Sequence, residues 1–147
     1  MKKTLILIVL IITLIIVAIG WLSWKGFKTK EEANVITYKT EYNKGENLKI
    51  KIDNNSKEQI CFSSCYPYYL ERNNGGFKSY QYDNCPKDDI VETCLNPDEI
   101  KAFELILDKM EINGGLHRVA IPACVGCAIN EHFRKDKWFY SNEFNIK

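Results

Sequence analysis

The chain has 147 residues, a formal net charge of +1 and 12% aromatic residues. That length holds one ordinary domain, and the aromatic content excludes a disordered tail. Residues 1–25 hold three of the 20 cations and none of the 19 acids, which leaves the remainder at −2. A body so balanced lacks the clustered cations on which nucleic-acid affinity rests, so no nucleic-acid partner is expected.

Thr4 to Trp24 is a run of 21 uncharged residues. As a helix rising about 1.5 Å per residue it would span about 30 Å, one hydrocarbon core. Trp21 and Trp24 fall at its far end, where indole rings favour the headgroup region. Residues 1–25 are therefore expected to form an uncleaved signal-anchor helix, with the bilayer as the partner of residues 4–24. The alternative is a secretory leader cleaved near Gly20, whose apolar core would be shorter, about 7–15 residues. Lys2 and Lys3 on one side nearly balance Lys25, Lys28 and Lys30 on the other, so the positive-inside rule barely chooses an orientation. Cysteine usage does: six cysteines between Cys61 and Cys127 suit an oxidising compartment. This places the N-terminus inside and the C-terminal domain outside, as a single-pass cell-membrane protein.

Residues 26–34 are polar and read as a tether. Val35 to Thr40 is β-branched and aromatic. After the Asn43-Lys44-Gly45-Glu46 turn, Leu48, Ile50 and Ile52 alternate with Lys49, Lys51 and Asp53, the pattern of a half-buried strand. Gln59 to Ser63 is a third strand, interrupted by Pro67 and resumed over Tyr68 to Glu71. Asn73-Asn74-Gly75-Gly76 marks a hairpin into Phe77 to Tyr82. Asp83 to Asp98 reads as a long acidic loop, Glu99 to Leu107 as a strand, and Leu116 to Ile121 as another. Pro122 to Asp136 reads as irregular. Trp138 to Tyr140 and Phe144 to Ile146 form a last strand with a break near Ser141-Asn142. Seven short strands at roughly ten-residue spacing predict an antiparallel β-sandwich or barrel over residues 35–147.

The motif order resembles the bacterial immunoglobulin-like domains of exported, membrane-anchored or lipoprotein-like envelope proteins. The matching pieces are Tyr42-Asn43-Lys44-Gly45-Glu46, Leu48-Lys49-Ile50-Lys51-Ile52-Asp53-Asn54, Tyr69-Leu70-Glu71-Arg72 and Gly75-Gly76-Phe77. They continue with Leu95-Asn96-Pro97-Asp98-Glu99, Gly115-Leu116-His117-Arg118-Val119 and Tyr140-Ser141-Asn142-Glu143-Phe144-Asn145-Ile146. In that family these recur as an L-x-P-G-E lead into a strand, a G-x-Y-R strand start and a terminal S-N-x-F-x-I strand. Here Asp98 replaces the glycine and His117 the tyrosine. The resemblance implies an immunoglobulin-like sandwich of about seven strands and a non-enzymatic, extracytoplasmic binding or spacer module.

In such a sandwich Cys61, Cys65, Cys85, Cys94, Cys124 and Cys127 would collect at one end, beside the start of the first strand, and that end would face the membrane. They are expected to be disulfide-bonded. Six cysteines allow 15 connectivities. The expectation carried forward is Cys85–Cys94 as a local clasp, with Cys61 or Cys65 crossing to Cys124 or Cys127. Two rivals use the same residues. Cys61, Cys65, Cys124 and Cys127, with His132 as a substitute, would supply a zinc site in a reducing compartment. Cys124 and Cys127 would form the thiol pair of an anchored oxidoreductase, although nothing in the sequence places them at a helix N-terminus.

No enzyme signature appears, and no cofactor or metal is expected. His117 reads as a strand residue. His132 with Glu131 and Asp136, and Asp83, Asp88, Asp89 and Glu92, meet no ligand spacing. Asn54-Asn55-Ser56 matches a glycosylation sequon. Tyr66, Tyr68, Tyr80 and Tyr82 are the candidate partner surface, since alternation turns half of the aromatics in this hairpin outward and aromatics are enriched at interfaces. The partner expected is an envelope protein or a glycan.

Overall fold

The computed structural model describes residues 13, 32–80, 85, 88–107 and 111–147. The chain divides into two compact units, residues 1–30 and 31–147. The expected signal-anchor helix lies outside the described residues, Thr13 excepted, as does most of the tether. Among the described residues no helix is long and apolar enough to cross a membrane. Tyr82 and the segment on either side of Cys85 are also outside them.

The second unit is all-β, as expected. Its strands are β1 (Ala33–Thr37), β2 (Glu41–Tyr42), β3 (Asn47–Asn54), β4 (Ile60–Ser63), β5 (Tyr69–Asn73) and β6 (Phe77–Ser79). They continue with β7 (Val91–Leu95), β8 (Ile100–Ile106), β9 (Gly115–Val125), β10 (Lys137–Tyr140) and β11 (Phe144–Ile146). A three-stranded sheet runs β1-β3-β8. The larger sheet runs β2-β11-β9-β4-β7, with β10 and β5 also on β9 and β6 on β5. The inward residues of both sheets form one core: Leu48, Ile50 and Ile52 from the small sheet, Leu70, Val119, Ile121, Phe144 and Ile146 from the large one. Burying each such side chain contributes about 1.5–3 kcal/mol.

β9 organises the large sheet. Its 11 residues are long enough to take two partners on each edge, β5 and β4 on one, β11 and β10 on the other. Each flanking pair is one strand with a flaw. From Cys61↔Cys124 to Tyr69↔Ala120 the β4–β5 side advances eight residues against four, so extra residues loop out around Cys65-Tyr66-Pro67. From Tyr140↔Ala120 to Phe144↔His117 the β10–β11 side advances four against three, a one-residue bulge. Ser141 repairs the ladder there. Its N–H donates to the Val119 carbonyl (2.9 Å) and its Oγ accepts from the Val119 N–H (2.9 Å).

Two strand expectations are corrected. Val91–Leu95, read as part of an acidic loop, is an edge strand on β4. Glu92, exposed in its middle, suits an edge that must not recruit other chains but hides the strand pattern. β9 continues through Pro122 to Val125. Ser141 bonds to Val119, and hydrogen-bonded pairs alternate along the ladder. Pro122, opposite Trp138, therefore needs no N–H on the β10 side. Its nitrogen faces the gap between β5 and β4.

One side of the sandwich is stitched shut. The Asn142 carboxamide accepts from the Thr37 N–H (2.8 Å) and donates to Thr37 Oγ1 (2.8 Å), and Val35 bridges Ser141. The other side, between β7 and β8, is an apolar cleft of about 230 Å³ lined by Ile52, Phe62, Tyr68 and Phe103. Lys101 at its rim donates to Thr93 Oγ1 (2.8 Å).

Candidate functional site

Even-numbered residues of β9 from Arg118 to Cys124 point away from the core, and so do their cross-strand partners. Ala120 lies between Tyr69 and Tyr140, Pro122 opposite Trp138, and Arg118 opposite Glu71. Ala120 is 0% exposed on this outer face, because the small central residues form a floor and the flanking rings close over it.

The rings form a continuous strip. The Arg118 guanidinium lies over Phe77 (4.1 Å) and over Tyr140 (3.9 Å). Tyr140 stacks with Trp138 (6.5 Å, 14° between planes), Trp138 meets Tyr69 (5.6 Å), and Tyr69 meets Tyr66 (5.7 Å). Trp138 and Tyr140 are 36% and 45% exposed, so the middle of the strip is open to solvent. Its position is fixed from both ends. Arg118 Nε donates to Glu71 Oε2 at 2.7 Å, a partly buried ion pair. Ser63 Oγ accepts from the Cys65 and Tyr66 N–H groups (3.0 and 2.8 Å) and donates to Asp89 (2.6 Å), which holds the bulge presenting Tyr66. Lys135 Nζ lies 4.9 Å from the Trp138 ring centroid. Burial, with Tyr66 and Asp89 adding, pushes the Tyr69 phenol above its ordinary 10.0, so it stays a neutral donor and acceptor.

Of the four tyrosines expected at a partner surface, the structure places only Tyr66 on this strip. Tyr68 stacks on Phe103 (5.0 Å) between the sheets and Tyr80 packs against the core; Tyr82 lies outside the described residues. Tyr69, Trp138, Tyr140 and Arg118 were not anticipated. The available signal was Trp138 and Tyr140 two apart in a strand, which puts both rings on one face.

All six cysteines are paired, as Cys61–Cys94, Cys65–Cys85 and Cys124–Cys127. The expected Cys85–Cys94 clasp and the crossing from Cys61 or Cys65 to Cys124 or Cys127 are not formed. β7 makes Cys61 and Cys94 direct cross-strand partners, with Cα atoms 4.0 Å apart, and the β4 bulge turns Cys65 toward Cys85. The zinc set of Cys61, Cys65, Cys124 and Cys127 is thereby split among three bonds. Cys124, Cys127 and Asp136 still place their ligand atoms within 4.8 Å of one another. Four of the six, Cys61, Cys94, Cys124 and Cys127, gather at the pole where β1 begins, since Ala33 pairs with Asn54, whose side chain reaches Leu95 beside Cys94. These four form a small cluster on the outer face with Val91 and Phe133; Cys65 and Cys85 are not part of it. Gly126, at φ +68°, turns the chain out of β9.

His117 is a core residue, 0% exposed. Its Nδ1–H donates to the Gly115 carbonyl (2.7 Å), so Nε2 accepts from the Tyr80 hydroxyl (2.9 Å). Burial lowers its pKa below 6.5, the Gly115 bond opposes this and the Arg72 charge adds to it. A depressed folded value means that the unfolded chain binds the proton more readily. The stabilisation is complete above about pH 6.5 and is lost as pH falls through the folded value. Urea midpoints should therefore drop from about pH 7.5 to about pH 5 more steeply in the wild type than in His117→Phe. Equal slopes would refute the assignment.

His132 is exposed and its backbone bridges Ile90. Glu131 and Asp136 accept from the Ala128 and Val125 N–H groups (3.1 and 3.1 Å). The Asn54 sequon is closed: Asn54 is 0% exposed and its amide donates to the Glu58 and Leu95 carbonyls.

No family model and no curated protein matches the chain. Among solved structures it is similar to an alkylpurine DNA glycosylase of Pseudomonas fluorescens bound to DNA containing an abasic-site analogue. Identity there is 14% and the TM-score 0.40, over 86% of this chain and 33% of that one. It is similar to a β-glucosidase of Listeria innocua in complex with isofagomine (19%, TM-score 0.36, 78% of this chain and 16% of that one). It is also similar to the CARDB domain of a Pyrococcus furiosus protein (11%, TM-score 0.35, 78% and 94%). The chain thus spans a third or less of the first two. Likenesses at these TM-scores carry no functional weight.

Proposed function

We propose that this chain is a membrane-tethered, extracytoplasmic, immunoglobulin-like binding module, stapled by its disulfides, whose aromatic strip takes a glycan of the cell envelope. The observation that carries the reading is the ring run Tyr140, Trp138, Tyr69 and Tyr66, in steps of 5.6–6.5 Å, open to solvent at Tyr140 and Trp138 and half-buried at Tyr69 and Tyr66. A pyranose offers one apolar C–H face and a rim of hydroxyls. Flat rings take the face, as they do in other amphipathic contacts, and charged groups at the edge take the hydroxyls. Glu71, Arg118 and Lys135 supply such an edge. Three disulfides fit residence in an oxidising compartment, and the uncharged run Thr4 to Trp24 supplies the anchor.

The test is titration of the full chain in nanodiscs with soluble oligosaccharides of envelope polymers, read by Trp fluorescence and calorimetry. Binding by at least one oligosaccharide is expected, weakened more than about tenfold by Trp138→Ala, or about 1.4 kcal/mol. Absence of binding across the panel, or binding indifferent to Trp138→Ala, would overturn the glycan reading and leave a protein partner for the same strip.

A further inference from the structure

The cysteine pole holds an arrangement that structural stapling does not require. Cys94, Cys61 and Cys124 are consecutive cross-strand neighbours on β7, β4 and β9, so their side chains lie in one row on the outer face. Cys61 is bonded to the first neighbour while the second is bonded to Cys127. All four pack in one cluster, and Cys61 Sγ lies 3.2 Å from the Cys127 carbonyl oxygen. Exposure differs along the row. Cys61 and Cys124 are 0% exposed, Cys127 2%, and Cys94 alone is half-buried. The charges differ too. Arg134 Nη2 lies 3.5 Å from Cys127 Sγ and 4.0 Å from Cys124 Sγ, whereas Asp136 Oδ2 is 3.3 Å from Cys124 Sγ.

We propose that this row is a thiol–disulfide exchange relay, with Cys94 as the entry point for an external low-molecular-weight thiol and Cys127 as the terminal thiolate. In the first step the external thiolate attacks Cys94 Sγ. A mixed disulfide forms on Cys94, the Cys61–Cys94 bond breaks, and Cys61 leaves as thiolate. In the second step that thiolate attacks Cys124 Sγ. The Cys61–Cys124 bond forms, Cys124–Cys127 breaks, and the electron pair leaves on Cys127. Two disulfides exist before and two after, so the external thiol is consumed and one protein thiol appears without net oxidation. Direction comes from the flanking charges. A cation beside a thiolate stabilises it and improves it as a leaving group; Arg134 does so at Cys127, and the Asp136 carboxylate opposes charge at Cys124. The relay is independent of the glycan reading, since it uses none of the strip's rings.

Cys94→Ser, made in the full chain, tests the second step without a reagent, because it leaves Cys61 as an unpaired thiol. After acid quenching, maleimide labelling and non-reducing peptide mapping, the relay places the label on Cys127 and joins Cys61 to Cys124. Label on Cys61 with Cys124–Cys127 intact would overturn it. Adding Arg134→Gln to this variant should lower the Cys127-labelled fraction about threefold. If Cys94→Ser does not fold, the wild type treated with limiting glutathione decides. Glutathione on Cys94 with a thiol at Cys127 supports the relay, and a thiol remaining at Cys61, or no adduct at Cys94, refutes it.

Discussion

Asn54→Ala is expected to lower the unfolding free energy by about 3 kcal/mol, measured by urea denaturation of the unreduced protein. Asn54 ends β3 and is fully buried. Its amide nitrogen donates to the Glu58 and Leu95 carbonyls (2.9 and 2.9 Å), and its oxygen accepts from the Ser56 N–H and hydroxyl (3.0 and 2.7 Å). Its backbone donates to Glu99 and accepts from Asp98 (3.0 and 2.8 Å). The side chain thus fastens the β3–β4 turn to the end of β7, while the Asn54 backbone holds the β7–β8 turn. Alanine keeps the backbone bonds and strips the rest. Each buried group left unpaired costs about 1–3 kcal/mol, and a small void adds to it. Asn54→Asp should be no better, because a second oxygen would face the Leu95 carbonyl where a donor now stands. A loss below about 1 kcal/mol in Asn54→Ala would show that water replaces the network.

The same corner shows what the sequence makes legible. The β3 alternation of Leu48, Ile50 and Ile52 is read directly because each inward residue is apolar and each outward one charged or half-wet. The interruptions at Pro67 and at Ser141-Asn142 are legible from turn chemistry, and both are register shifts against β9. Asp98, where the immunoglobulin-like pattern the sequence resembles has glycine, sits at φ +60°, a conformation glycine adopts freely and Asp tolerates. What escapes local pattern is whatever depends on a partner strand. β7 is recognisable only beside β4, and without β7 the Cys61–Cys94 pairing has no geometric basis. Pro122 ends a strand by propensity, yet here it faces a gap created by an insertion four strands earlier in the chain. The insertion keeps the parity: Cys61 and Tyr69, eight residues apart, both face outward opposite Cys124 and Ala120, while Ile60, Phe62, Tyr68 and Leu70 face the core, so alternation counted across Pro67 already turns Tyr69 outward and Tyr68 inward.

Replacing Cys61 and Cys94 together by alanine is expected to cost about 4 kcal/mol, and replacing Cys124 and Cys127 together about 2. The difference follows from loop closure in the unfolded chain. The first bond closes a sequence separation of 33, the third a separation of 3, and the entropy removed from the unfolded ensemble grows with the logarithm of loop length. Cys65–Cys85, at a separation of 20, should fall between, at about 3 kcal/mol. Position in the native sheet sharpens the order. Cys61–Cys94 ties an edge strand to its neighbour, so its loss also frees β7 to fray. Cys124–Cys127 instead spans the exit from β9 and pins the segment that leads through Arg134 and Lys135 to Trp138. Its removal should therefore also loosen that segment, seen as amide exchange over residues 126–136 that speeds up more than the global loss of about 2 kcal/mol accounts for. Urea curves for the three double variants read the order directly. If the Cys124→Ala, Cys127→Ala pair proves the most costly, the stabilisation lies in native packing over the outer face and not in restriction of the unfolded chain.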